Sequence, residues 1–290
     1  MALAYVYAGL RWGHFVTLML AFGCLLYAAA WAAPSLRRLI AQRFTGLLRV
    51  TLLLSAVTST LMLMAQGGLM ADGWGDVFSP DVWLAVAGTR FGSVWLWQIL
   101  LAWVSVVVLW LRPHRQMPVL IILCVAQFLL MAGVGHAAMR DGISGALQRT
   151  NHAVHLLCAA AWFGGLLPFA YCLRLAKGRW RTAAIVTMMR YSRYGHAAVA
   201  GVIVSGIINT LLIQGTLVSS TAYGKLLLIK SALVALMVVI ALANRYVLVP
   251  RMATDRSRTE SLFLRTTQAE LILGTLVLAA VSLFATWEPF

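Results

Sequence analysis

Four of the six histidines in this 290-residue chain, His14, His136, His152 and His155, lie inside or at the rim of apolar stretches. Imidazole is costly to place in hydrocarbon, so several rings at one depth suggest a site for a metal ion or a metal-bearing cofactor. His152 and His155 stand three apart in Asn-His-Ala-Val-His. On a helix that spacing lets both rings ligate one ion or orient each other. His136 follows Gly133-Val134-Gly135, where small residues let another backbone approach and leave the ring accessible. Met19, Met64, Met70 and Met139 stand near the same level, and thioether with imidazole favours copper over calcium or magnesium. Two histidines on different helices at one depth also suit the axial positions of haem b, with His14, His136 and His155 as the available ligands. Taken singly, each histidine has a structural alternative, a hydrogen bond to a neighbouring helix, and each methionine is ordinary apolar packing. Shared depth is what favours a site.

A second group lies near the other membrane face. His196, with Met188 and Met189, is placed to receive an ion on its way out, or to cap a helix at the lipid interface. Lys230 and Glu270 are ionisable groups well inside apolar segments, where such groups face a bundle interior or a water path. Asp72, Asp76 and Asp81 crowd one loop above the histidine level, to draw cations or simply to solvate the loop. The chain has no Walker A, GxSxG, HExxH, DKTGT or CPC motif. No catalytic residues are expected, and any transport is passive, ion-coupled or dependent on a partner.

The elements that hold these residues are membrane helices. The chain is 62% hydrophobic and only 11% charged, where a soluble domain carries roughly a quarter charged residues. Apolar runs of bilayer-crossing length predict eight spans, at 8–32, 46–67, 91–111, 118–138, 151–173, 192–214, 223–244 and 265–286. Lipid leaves a backbone no partners outside its own segment, so an all-α polytopic fold follows. Its partners include membrane lipid. A short interfacial helix is expected after Pro80. The net charge of +15 is not a nucleic-acid signal. Of the 23 basic residues, 17 fall in alternate connections, which the positive-inside rule places in the cytoplasm, with both termini and the four histidines on the periplasmic side. Cys24, Cys124, Cys158 and Cys172 form no CxxC and read as small core residues. The first span lacks the features of a cleavable signal.

A faint repeat divides the chain into half-repeats 1–145 and 146–290. Aligning His14 with His155 places Phe22-Gly23 on Phe163-Gly164, so both halves read H-x7-F-G. Thr89-x-Phe91-Gly92 matches Thr221-x-Tyr223-Gly224, which sets Gln98 against Lys230. Four spans separate the copies, so the two four-helix halves would be parallel, related by an axis along the membrane normal.

The segments GWGDVFSP (73–80), QRTNHAVHLLCAAAWFGGLLP (148–168), KGRWR (177–181) and ALANRYVLVPRM (241–252) resemble the copper resistance protein D family of CopD/PcoD-like inner-membrane proteins, over essentially the whole chain. The resemblance implies a multi-pass protein of the bacterial inner membrane. It also implies copper homeostasis, copper moved across that membrane, and a periplasmic CopC-like copper-binding partner. No CopC-like domain is fused here, so that partner would be a separate polypeptide. For site residues it implies only the matching histidines, chiefly His14, His136, His152 and His155. Three readings stay open: a copper-binding permease, a b-type cytochrome passing electrons toward periplasmic copper, and a non-transporting membrane partner of a copper chaperone.

Overall fold

The computed structural model describes residues 2–135, 140–251 and 256–284. They are helical almost throughout, with no strand among the described residues. The order is α1 (Ala2–Leu26), extended by a π-helical turn at Tyr27–Trp31, then α2 (Pro34–Met70), a 3-10 turn at Trp74–Phe78, α3 (Pro80–Ala87), α4 (Arg90–Leu111) and α5 (Gln116–Ala132). There follow α6 (Gly142–Leu175), α7 (Arg181–Gln214) and α8 (Ala222–Ala243), with a π turn at Asn244–Leu248 and the single turn α9 (Val249–Arg251), and finally α10 (Arg256–Phe284). Seven helices are long and apolar enough to cross a membrane, and α5 is a shorter apolar helix. The protein is an all-α polytopic membrane protein. Its predicted spans correspond to α1, α2, α4, α5, α6, α7, α8 and α10.

The starts of three helices lie well before the predicted ones, whereas α5 stops at Ala132, short of the predicted 138, because Gly133-Val134-Gly135 leaves the helix. Helix α2 starts at Pro34 rather than 46, α6 at Gly142 rather than 151, and α7 at Arg181 rather than 192. Hydropathy marks where hydrocarbon ends, but a helix keeps its backbone bonded beyond that point while arginines extend into water. The expected interfacial helix is α3, with Pro80 at its first position. The preceding turn packs against α2 and is tied to α3, where Trp83 Nε1 donates to Val77 O at 2.8 Å. The carboxylate of Asp76 turns back to accept from Asp72 N at 2.8 Å. All four cysteines are unpaired.

Helix α1 is the most buried span and packs against α2, α5, α6 and α10. It crosses α6 in backbone contact. A Cβ on Gly23 would fall on the backbone of Gly164, and one on Gly164 would fall on the Met19 carbonyl. Only two glycines allow so close an approach. The two residues matched by H-x7-F-G are therefore each other's neighbours. The second matched pair behaves alike: Thr89 caps α4 by accepting from Gly92 N at 3.0 Å, and Thr221 caps α8 by accepting from Gly224 N at 3.1 Å.

The packing of the two parts differs at one seam. Helix α2 packs on α4 but α7 is not packed on α8, although α1–α2 and α6–α7 are both intimate pairs. The α2–α4 seam is fastened by Trp95 Nε1 donating to Ser59 O at 2.8 Å. The spans of α7 and α8 are the least buried.

Replacing Gly164 with Val is expected to lower the melting temperature in detergent, through overpacking of about 1–3 kcal/mol. Unchanged melting would show that the α1–α6 backbones do not touch there.

Candidate metal site and its inner counterpart

On the side away from most of the basic connections, a cavity of about 490 Å³ is lined by His14, His152 and His155. Arg11, Asn209 and Lys230 face the same space, with Met62 and Met131. The α1–α6 crossing brings the histidines of the two helices to one level. Helix α7 leaves room for one of the rings, since a Cβ on Gly206 would press on His155 Cε1 at 3.4 Å.

The three rings are held differently. His14 is fully buried. Its Nδ1–H donates to Ser55 O at 3.0 Å, and its Nε2 accepts from Gln98 Nε2 at 3.0 Å. The carbonyl can only accept, which fixes the tautomer. A polar chain continues behind it, from Gln98 to Gln127 Oε1 at 3.5 Å and from Gln127 to Ser105 Oγ at 3.3 Å. His14 is thus saturated at both nitrogens. His155 is tied on one side only. Ser205 gives its proton to Gly201 O, so the serine oxygen accepts from His155 Nδ1–H at 2.9 Å. That leaves the His155 Nε2 lone pair without a hydrogen bond among the described residues. A hydrogen bond that holds Nδ1–H in this way orients an imidazole and leaves its other nitrogen able to bind a metal. His152 Nδ1 accepts from Asn209 Nδ2 at 3.3 Å, and Asn209 Oδ1 is held by Asn151 Nδ2 at 2.9 Å. The His152 and His155 rings stack in near-parallel planes, 6.3 Å apart.

Imidazole and thioether donors suit copper better than hard cations. The thioethers lining the cavity are Met62 and Met131. Of the methionines favoured by sequence, Met19 is buried in the core, Met64 packs against it and Met70 is exposed. Sequence depth alone cannot tell which face of a helix a methionine occupies, which is why Met131 was missed. His136 and Met139 lie outside the described residues, although Val134 and Gly135 line the cavity. No cluster of three or more His, Cys, Asp or Glu able to hold a metal occurs among the described residues. The cavity therefore offers a partial donor set. For a haem, His14 Nε2 would first have to leave Gln98.

A second cavity of about 430 Å³ lies toward the basic end and is lined by His196, Met188 and Met189, the residues picked out as an exit group. Both nitrogens of His196 are engaged, Nδ1 donating to Ser192 O at 2.6 Å and Nε2 accepting from Tyr246 Oη at 3.4 Å. Glu270 joins this cavity, which its place in the sequence did not reveal. Its Oε2 accepts from Asn244 Nδ2 at 3.0 Å, while Oε1 is buried without a partner. Lys230 lines the outer cavity and Glu270 the inner one, so the two do not pair. The three outer-loop aspartates do not line either cavity.

Two family descriptions match the chain: copper resistance protein D-like, N-terminal domain, over residues 1–146, and copper resistance protein D over residues 185–284. The chain is 52% identical to the inner membrane protein YebZ of Escherichia coli (strain K12), over 99% of this chain and 100% of that one. It is 31% identical to copper resistance protein D of Pseudomonas syringae pv. tomato, over 96% of this chain and 95% of that one. It is also 31% identical to copper transport protein CutJ of Bacillus subtilis (strain 168), over 74% of this chain but 40% of that longer protein. No solved structure matches.

Because His14 is fully satisfied, replacing it with Leu is expected to act on stability. Stranding the buried Gln98 amide costs about 1–3 kcal/mol, lowering the melting temperature while stoichiometric copper binding persists. Copper lost with melting unchanged would make His14 a ligand instead.

Proposed function

The chain belongs to the copper resistance protein D family, and on that footing we propose that it is an inner-membrane copper-homeostasis protein that binds copper in the outer cavity and moves it inward. The observation that carries this reading is the convergence of His14, His152 and His155 on one cavity at the less basic end of the bundle. His155 is the primary ligand, because its Nε2 is oriented by Ser205 and otherwise unengaged. His152 is the second nitrogen donor, released by rotation away from Asn209. Met62 and Met131 supply the soft donors that Cu(I) prefers. His14 is a positioning residue.

Inward movement is supported by the short distance between the cavities. His155 lines the outer one and Trp162 the inner one, seven positions along α6, or about 10 Å at the helical rise. On α7, Gly206 and Ile203 are about one turn apart and face different cavities. Met188 and Met189 would receive the ion at the inner end, joined by His196 once its Nε2 leaves the 3.4 Å contact with Tyr246 Oη. A periplasmic CopC-like copper-binding protein would deliver it. Copper is the cargo, and no enzymatic reaction is proposed.

His155→Ala in the detergent-purified protein is expected to lower bound copper at least roughly tenfold, the size of a lost ligand or its orienting partner. Metal analysis with equilibrium dialysis reads this out, and wild-type occupancy in the variant would remove His155 from the site. Sealed vesicles test movement. Met188→Leu with His196→Phe is expected to slow copper entry while leaving outer-cavity binding intact. A wild-type protein that binds copper but admits none to the vesicle would reduce the function to that of a membrane partner for the carrier.

A further inference from the structure

Arg11 on α1 and Lys230 on α8 both line the outer cavity, and neither has an anionic partner among the described residues. The ion pairs among the described residues are Arg90–Asp141 and Lys177–Glu260, both elsewhere. No Asp or Glu among the described residues lines the cavity. Arg11 rests its guanidinium on the Phe15 ring, 5.6 Å from the centroid, which satisfies none of its five N–H donors. Lys230 makes no hydrogen bond to a described residue. Two cations at this depth of a membrane protein, with no counter-charge among the described residues, are expensive unless something in the cavity neutralises them.

The same pair bears on the metal. A copper ion entering beside two fixed positive charges is repelled, and the donor set that meets it is incomplete. A ligand that is both negative and oxygen-bearing resolves both difficulties. The planar fork of a guanidinium matches a carboxylate through two parallel hydrogen bonds, and an ammonium adds a point charge. The phenols of Tyr7 and Tyr223 line the cavity beside them.

We propose that Arg11 and Lys230 form a carboxylate-binding half of the outer cavity, so that the histidines receive their metal together with a carboxylate-bearing ligand rather than as a bare cation. The metal half of this statement rests on the copper reading above, whereas the carboxylate half stands alone on two cavity-lining cations that have no acidic partner among the described residues. The carboxylates come either from a small organic acid accompanying copper or from the propionates of haem b. The shared chemistry is the same.

The experiment uses the full-length protein in detergent, with succinate as the probe and sodium chloride at equal ionic strength as the control. Succinate without copper is expected to raise the melting temperature saturably in the wild type. Arg11→Gln and Lys230→Gln lose the response, and Lys230→Arg keeps it. Equilibrium dialysis then reads linkage: succinate tightens copper binding roughly tenfold in the wild type and not in the Gln variants, and by reciprocity copper tightens succinate. Succinate binding without any copper binding upholds the carboxylate site and overturns the copper reading. Copper binding indifferent to succinate, with no melting shift, overturns the carboxylate site and leaves the copper reading standing. A Soret band in the purified protein that weakens in both Gln variants assigns the carboxylates to haem b. A Soret band that both variants leave unchanged overturns the proposal.

Discussion

The contact on which the rest depends is the backbone crossing of α1 and α6 at Gly23 and Gly164. Side chains usually keep helices about 8–10 Å apart, and a glycine pair removes that spacer. The crossing fixes the relative height of two helices from distant parts of the chain, and so fixes the height of the histidines they carry. Without it, His14 and His155 would be separate polar residues in separate helices. With it, they line one cavity.

The second organising feature is an asymmetry laid over a local likeness. Each of α1 and α6 carries a histidine whose Nδ1 is tied to the following helix, at Ser55 or Ser205. The difference lies on the other ring nitrogen. Gln98 fills His14 Nε2, whereas Lys230, which the repeat sets against Gln98, leaves His155 Nε2 open. The same division appears in the seams, α2 fastened to α4 while α7 and α8 stand apart. One part of the molecule is closed by side-chain bonds between its helices, and the other leaves an imidazole nitrogen without a hydrogen bond among the described residues.

The sequence makes the helices legible because lipid imposes a simple rule: apolar length means a crossing. It makes the histidine level legible through charge asymmetry, and it shows the shared Phe-Gly as a repeat, while the contact between those two glycines is known only from the packing. What it does not reveal is rotation about each helix axis. Met19 and Met62 are both at plausible depths, and only packing decides that Met62 faces the cavity while Met19 is buried among apolar side chains. Nor could it say that His14 is saturated and His155 is not, because that depends on Gln98 and Ser205 arriving from other helices. Glu270 was recognisable as an unusual intramembrane acid. Its company with His196 and Met188 is a tertiary fact.

Helices α7 and α8 are the least buried spans and pack little on each other, yet both line the two cavities. In a bilayer their outer faces meet acyl tails, so lipid presses on the helices that wall both chambers. The thickness and fluidity of the bilayer then bear on the spacing of those walls, and the membrane belongs to the mechanical surroundings of the cavities as well as being the barrier they sit in.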